Sequence, residues 1–209
     1  MSGIPLTTQR DDFTRVVGLQ TQFSADIIGL PVVDPILTWQ ILSQRSDALQ
    51  LAYEISSIGE DSSVITSSVV ASSEQIEISA PGHISRNREI RYLRVRIATQ
   101  YGWSDFSPLA SFETGLASGK DFIGSAIGDQ SLHSAPSPIL RKEFSSKKVV
   151  AKARMYATSE GIHSLYLNGV NITDEYFTPG WTAFDDRPTY VVHDVTRLIR
   201  MAQIALRQS

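Results

Sequence analysis

Residues Gly161–Thr196 read GIHSLYLNGVNITDEYFTPGWTAFDDRPTYVVHDVT and hold the densest turn and strand signals in the chain. Asn168-Gly169 follows the apolar run Leu165-Tyr166-Leu167 directly. Asn-Gly supplies the two positive-φ residues of a type I′ hairpin turn, so a strand reverses here. Pro179-Gly180 fits a type II turn, with Pro fixing φ at the second position and Gly taking positive φ at the third. Tyr190–Val192 is a short run of β-formers, and Asp194 is placed to cap a helical turn over Val195–Arg200.

Working outward, Ile139–Phe144 begins a strand. Lys148–Thr158 follows, with Ala151, Ala153, Ala157 and Met155 on one face and Lys152 and Arg154 on the other. Gly161–Leu167 is expected to pair with it as a hairpin or meander, the opening of a jelly-roll-like sandwich. Ile204-Ala205-Leu206 looks like the start of another strand. Upstream, Ala117–Ser137 carries Gly119, Gly124, Gly128 and Pro136 with no sustained period and marks a boundary.

Before that boundary the pattern is again β. Residues 1–12 are polar. Phe13–Phe23 contains a first strand, Pro31 and Pro35 frame a turn, and Ile36–Leu42 is a strand anchored by Trp39. Gln44–Asp47 makes a polar turn. Leu51, Tyr53 and Ile55 alternate with Ala52, Glu54 and Ser56 at period two. Residues 59–73 are serine-rich; Val64-Ile65 and Val69-Val70 read as short edge strands joined by loops. Ile76 and Ile78 indicate another strand, and Pro81-Gly82 a turn. Arg91–Thr99 is the clearest strand of this half, with Leu93, Val95 and Ile97 facing a core and Tyr92, Arg94 and Arg96 facing water. Tyr101-Gly102-Trp103-Ser104 turns the chain, and Pro108–Thr114 ends the sheet. Short alternating strands at regular turn spacing predict a sandwich of immunoglobulin or fibronectin type III kind.

The chain has 209 residues, 42% hydrophobic and 20% charged, with a formal net charge of −3. That length accommodates one large domain or two of about 100 residues each. The mildly acidic balance speaks against a nucleic-acid or anionic-membrane surface, and no run reaches the length of a membrane span. There are no cysteines, which excludes disulfides, thiolate catalysis and cysteine metal sites. MSGIPLTTQRDDFTR has no apolar core of the signal-peptide kind, so a cytoplasmic location is expected; the sequon pattern Asn171-Ile172-Thr173 is then a chance match.

Chemistry-bearing residues are sparse. Asp185-Asp186 and Asp174-Glu175 are acidic pairs, but neighbouring residues on a loop or strand point apart, so both read as solvated turns. His83, His133, His163 and His193 are dispersed, without an HExxH or close metal pair. No GxSxG elbow, P-loop or dinucleotide fingerprint is present. Arg91, Arg94 and Arg96 with Tyr92 could form a binding stripe, although long charged side chains belong on the wet face of such a strand anyway. Lys147-Lys148 reads as a solvated turn. Trp103 reads as a plug at the end of the sandwich rather than a sugar platform. Trp181 and Thr182 follow the Pro-Gly turn; a ligand or partner would meet them there, while accessory sandwiches mostly supply packing area, so Trp181 is expected to pack a domain interface. The expectation is therefore no catalytic, cofactor-binding or metal residue, and no cofactor.

These motifs carry a resemblance. Gly161-Ile162, Tyr166-Leu167-Asn168-Gly169, Pro179-Gly180-Trp181-Thr182, Arg187, Tyr190 and Asp194-Val195-Thr196, with Pro136, Leu140–Phe144 and Ala153-Arg154, resemble the N-terminal β-sandwich module of bacterial-type α-L-rhamnosidases. Trp39, Gln50–Ile55, Tyr92, Arg94-Val95-Arg96, Gly102-Trp103-Ser104 and Phe112–Leu116 are similar to the fibronectin-like domain that precedes that module. Leu93 stands where the family usually has Trp.

The resemblance implies an all-β chain of two antiparallel β-sandwich domains. A fibronectin type III-like domain over 1–116 and a linker over 117–135 would precede a partial jelly-roll-like module over 136–209. The family is one of inverting glycoside hydrolases that release terminal α-L-rhamnose, its carboxylates lying in an (α/α) barrel further along. Met201-Ala202-Gln203 replaces an expected glycine turn, and the second module is expected to be incomplete, leaving an apolar edge unpaired. The implied function is the non-catalytic N-terminal portion of such an enzyme, in contact with the barrel; the alternative is a stand-alone carbohydrate-binding or scaffold module.

Overall fold

The computed structural model describes residues 9–21, 27–128, 138–146, 149–173, 175–183 and 186–199, together with the backbone of 204–208. The chain divides into two compact units, Met1–Ala117 and Ser118–Ser209. Among the described residues every regular element is a strand or a short 3-10 turn, and no helix is long and apolar enough to cross a membrane.

The strands of the first unit are β1 (Thr14–Thr21), β2 (Ile27–Leu30), β3 (Ile36–Ser43), β4 (Ala52–Ile58), β5 (Val64–Val70), β6 (Ile78–Ser79), β7 (Ile90–Thr99), β8 (Gly102–Trp103) and β9 (Ala110–Thr114). One sheet runs β1-β3-β6; the other runs β2-β9-β7-β4-β5, with β8 added to β7. The ladders are antiparallel except β2 on β9, which is parallel. The two sheets face each other across one core, with Val16, Leu19, Leu37 and Trp39 from the first and Tyr53, Ile55, Leu93, Val95, Ile97 and Phe112 from the second. β7 follows its alternation: Leu93, Val95 and Ile97 are fully buried while Tyr92, Arg94 and Arg96 keep partial exposure. This is the immunoglobulin-like sandwich expected from the strand rhythm.

Two readings of this unit change. Residues 64–70 form one continuous edge strand, paired to β4 from Tyr53↔Val70 to Ile58↔Val64. Thr66-Ser67-Ser68 does not interrupt it, because a β-branched and hydroxyl run is at ease on a half-wet edge. Conversely, the strand around Ile76 and Ile78 shrinks to Ile78–Ser79, since Glu77 adopts φ 56 and leaves the β region. Gly102 is needed where it stands. At φ 134 it brings the backbone so close to Gln9 that a Cβ would lie 2.2 Å from the Gln9 carbonyl oxygen. That approach lets the Trp103 N–H donate to Gln9 O at 2.8 Å and the Asp11 N–H donate to Trp103 O at 2.7 Å.

The second unit contains β10 (Leu140–Phe144), β11 (Arg154–Ala157), β12 (Leu165–Leu167), β13 (Val170–Asn171), β14 (Val191–Asp194) and β15 (Ile204–Gln208). Four strands make a sheet in the order β10-β15-β12-β13, and β11 pairs with β14. Gly161–Leu167 therefore does not pair with the preceding strand as expected: β12 takes β13 and β15, and β11 takes β14. β15 enters between β10 and β12, and the described edges of the sheet are a two-residue strand and a strand bearing Arg141, Lys142 and Glu143. Short or charged edges of this kind resist further pairing, so the apolar open edge expected from the sequence is not found on this sheet. Leu167 and Val195 centre a small core with Ala153, Met155, Ile172, Leu198 and Ile199 around it.

The hairpin turn is as read: Asn168 has φ 52 and Gly169 φ 81, joining Leu167 to its partner Val170. The Asn168 side chain also donates to Leu198 O at 2.7 Å. The Pro179 turn differs. Thr178–Pro179 is a cis peptide, and the Gly180 N–H returns to Phe177 O at 2.7 Å. The turn thus spans 177–180 with Pro at its third position, a type VI turn rather than type II. Asp194 ends β14, and its carboxylate accepts the Thr196 N–H at 2.9 Å; the helical turn that follows is 3-10 and covers only Thr196–Leu198. On the other side of the unit, the segment after Ala117 forms a 3-10 turn over Gly119–Asp121, and the Phe122 ring lies 6.5 Å from that of Tyr190.

Candidate functional site

Among the described residues of the second unit, the loop 175–182 exposes three aromatic rings. Its waist is held from within. Thr178 is buried; its hydroxyl donates to Glu175 O at 3.1 Å, and its carbonyl accepts the His163 N–H at 2.9 Å. Thr189 donates to Pro179 O at 3.3 Å. Anchored this way, the loop presents Tyr176, Phe177 and Trp181 outward, at 94%, 71% and 87% exposure. Trp181, for which packing at a domain interface is expected, is exposed within this chain. Thr182 beside it is half-buried.

Of the acidic pairs, Asp174 and Asp185 lie outside the described residues, as does His133. Glu175 and Asp186 are exposed, and Asp186 sits in a turn closed by its own N–H to Ala183 O at 3.0 Å. Lys147-Lys148 likewise lies outside the described residues. Among the described residues no group of three or more His, Asp or Glu is arranged to hold a metal ion.

The fold does bring two distant histidines together. His163 is 2% exposed. Its Nδ1 lies 2.8 Å from the Ser159 hydroxyl, and its Nε2 is buried with no hydrogen-bond partner among the described residues. Burial first, and nearby His193 second, hold its pKa below the ordinary histidine value. A base with a depressed folded pKa stays neutral in the fold while the unfolded chain takes up the proton. Its contribution is therefore full above the unfolded pKa of about 6.5 and is lost as pH falls from there toward the folded value. Melts of the full chain from about pH 8 to about pH 5 are expected to show a falling Tm for the second unit, and His163→Gln a flatter profile. Identical pH slopes for both proteins would remove His163 from this role.

In the first unit the proposed arginine stripe separates. Arg91 lies on the core side, buried with Glu89, because it shares the parity of Leu93. Arg94 and Arg96 stay on the outer face but are covered by rings. Arg96 Cζ lies 4.9 Å from the Trp103 centroid and 4.8 Å from that of Phe106, and Arg94 Cζ lies 4.2 Å from Phe106. Glu54 fixes Arg96 by a 2.6 Å hydrogen bond from Nε. The result is an alternating stack, Trp103–Arg96–Phe106–Arg94. Two serines clamp it to β7: Ser104 Oγ accepts the Ile97 N–H and Ser107 Oγ the Val95 N–H, each at 3.1 Å. The cations are thus engaged in cation–π contacts that stabilise the sandwich rather than offered to a ligand. The sequence held part of this signal, since the aromatic-Ser pairs Trp103-Ser104 and Phe106-Ser107 follow closely after the strand that carries Arg94 and Arg96.

Residues 16–118 match the family model described as "Rha78A-like, N-terminal immunoglobulin domain", and residues 148–207 match "Alpha-L-rhamnosidase N-terminal domain". The alpha-L-rhamnosidase of Alteromonas sp. (strain LOR) is 32% identical over 202 residues, 86% of this chain and 21% of that protein. The solved alpha-L-rhamnosidase from Dictyoglumus thermophilum superposes with a TM-score of 0.82 at 25% identity, over 97% of this chain and 25% of that one. The native enzyme from Aspergillus terreus gives 0.82 at 23% identity, over 93% and 23%, a likeness of fold. The chain spans about a fifth of the length of the curated relatives it matches.

Proposed function

We propose that this chain, which carries in order the two N-terminal modules of the α-L-rhamnosidases, is the non-catalytic accessory region of an enzyme that releases terminal α-L-rhamnose with inversion. The observation that carries the reading is the succession of both family matches, 16–118 and then 148–207, in one chain. Inversion needs two carboxyl groups about 6.5–9.5 Å apart with a water between them. Glu175 and Asp186, the described members of the acidic pairs, sit on exposed loops, which is poor ground for that chemistry. On this reading hydrolysis belongs to an (α/α) barrel, and the Tyr176, Phe177 and Trp181 crown supplies contact area to it. The purified chain is expected to release no rhamnose from an aryl α-L-rhamnoside. Release at a rate that scales with protein concentration would overturn the reading.

The exposure of Trp181 and Tyr176 also favours a second reading, a carbohydrate-binding module, since aromatic rings stack on apolar sugar faces. Calorimetric titration with L-rhamnose separates the two. A flat trace leaves the loop to protein contact, whereas binding that disappears in Trp181→Ala assigns it to sugar.

A further inference from the structure

We propose that β5 pairs antiparallel with β5 of a second copy of this chain, making a weak, reversible dimer about a two-fold axis at Ser67. Among the described residues β5 pairs with β4, and no described strand occupies its other edge. An open strand edge is a row of unpaired N–H and C=O groups, and proteins usually blunt it by shortness, charge or irregularity. The other described edges are blunted in these ways, β11 and β14 being four residues long and carrying Arg154 and Asp194. β2 has four residues with Gly29 at φ 82. β1 carries Arg15 and an irregularity between Val17 and Gln20. β6 and β13 have two residues each, and β10 is charged. β5 is seven residues long, VITSSVV, with no charge and no proline. Its bulge lies at one end, where the register shifts between Ser57 and Ile58, and Thr66–Val70 stays regular. Val64, Ile65 and Val69 are exposed along it.

The occupant follows from the strand's near-palindrome. Two antiparallel copies centred on Ser67 set Thr66 against Ser68, hydroxyl to hydroxyl, and bring Ile65, the residue at the bulge, beside Val69, apolar to apolar. These are the cross-strand pairs that stabilise a sheet. A partner chosen by charge would find none on this strand. The self-complementary contact is isologous and closes after two copies. The regular stretch Thr66–Val70 is only about 17 Å long, too little for the roughly 1,200–2,000 Å² of a stable interface. The dimer should therefore form only at high concentration.

The chain has no cysteine, so Ser67→Cys introduces a single thiol. Opposed Cα atoms in an antiparallel pair lie about 4.5–5.5 Å apart, within the range a disulfide spans. Mild oxidation of the full chain is expected to convert Ser67→Cys to a covalent dimer much faster than Ser73→Cys, whose two copies would lie tens of ångströms apart. Sedimentation velocity of the wild type from tens to hundreds of micromolar should show reversible dimer. Ser67→Lys, which places like charges opposite each other, should abolish it while leaving the melting curve cooperative. A wild type that stays monomeric throughout, or equal crosslinking at 67 and 73, would overturn the proposal. So would capture of a different protein segment on this edge in place of a second copy.

Discussion

Trp39→Ala is expected to destabilise the first unit by about 3–5 kcal/mol, the range for removing a large aromatic from a core that cannot collapse around the gap. Trp39 is 1% exposed and sits between the two sheets. Its ring meets that of Tyr53 edge-on at 5.2 Å. Its Nε1 donates to Gln50 Oε1 at 3.2 Å, and Gln50 in turn donates to Ser72 O at 3.0 Å and Glu74 O at 2.9 Å. Truncation therefore opens a cavity and also orphans a buried acceptor. Trp39→Phe separates the two effects. It keeps most of the volume and loses the donor, so a cost of about 1–3 kcal/mol is expected. Guanidinium unfolding followed by the remaining tryptophans, Trp103 and Trp181, measures both. A loss of under about 1 kcal/mol for Trp39→Ala would mean that this side chain is not the anchor of the core.

Glu89→Ala should be nearly as damaging, for an electrostatic reason. The Glu89 and Arg91 side chains are 6% and 8% exposed. Arg91 Nε donates to Glu89 Oε1 at 2.6 Å, NH1 reaches Ser57 Oγ at 3.3 Å and NH2 reaches His83 O at 3.4 Å. Arg86 Nε stands 3.7 Å from the other Glu89 oxygen. Removing the carboxylate leaves a guanidinium desolvated without its counter-charge, a loss of about 3–5 kcal/mol. Replacing both charges by apolar groups of similar size, Glu89→Leu with Arg91→Met, should cost far less, because the desolvation penalty disappears with the attraction. The double-mutant cycle is the measurement. A double variant as unstable as Glu89→Ala would show that packing, not charge, is what these residues supply.

The functional reading and the stability predictions belong to different residues. The ring–guanidinium stack on the outer face of β7 and the Glu89–Arg91 pair on its inner face use up the arginines that looked available for a ligand. Among the described residues, the 175–182 crown of the second unit and the open edge of β5 remain exposed for contact.

Much of the fold was legible because its causes are local. The alternation of Leu93, Val95 and Ile97 with Tyr92, Arg94 and Arg96 demands a half-buried strand wherever it sits in the chain. Asn168-Gly169 demands a turn with two positive φ angles, and Trp39 in a run of β-formers demands a core. The candidate site was less legible. Trp181 is marked in the sequence by its place after the Pro-Gly turn, but its exposure within this chain is set by packing that a local motif does not encode. Arg91 was grouped with Arg94 and Arg96 by charge, although its parity along the strand already placed it with Leu93.

What only the tertiary structure decided is the choice of partners. β15 lies between β10 and β12, and β11 pairs with β14 across the loop that carries Trp181. His193 comes near enough to His163 to act on it electrostatically, and Ser104 and Ser107 find the backbone of β7. A strand's own residues specify which face is apolar, and so determine that it will be a strand. Its hydrogen-bonding edges are the same peptide groups in every strand, so they carry no sequence label. Their partners are settled by which arrangement buries the marked faces together.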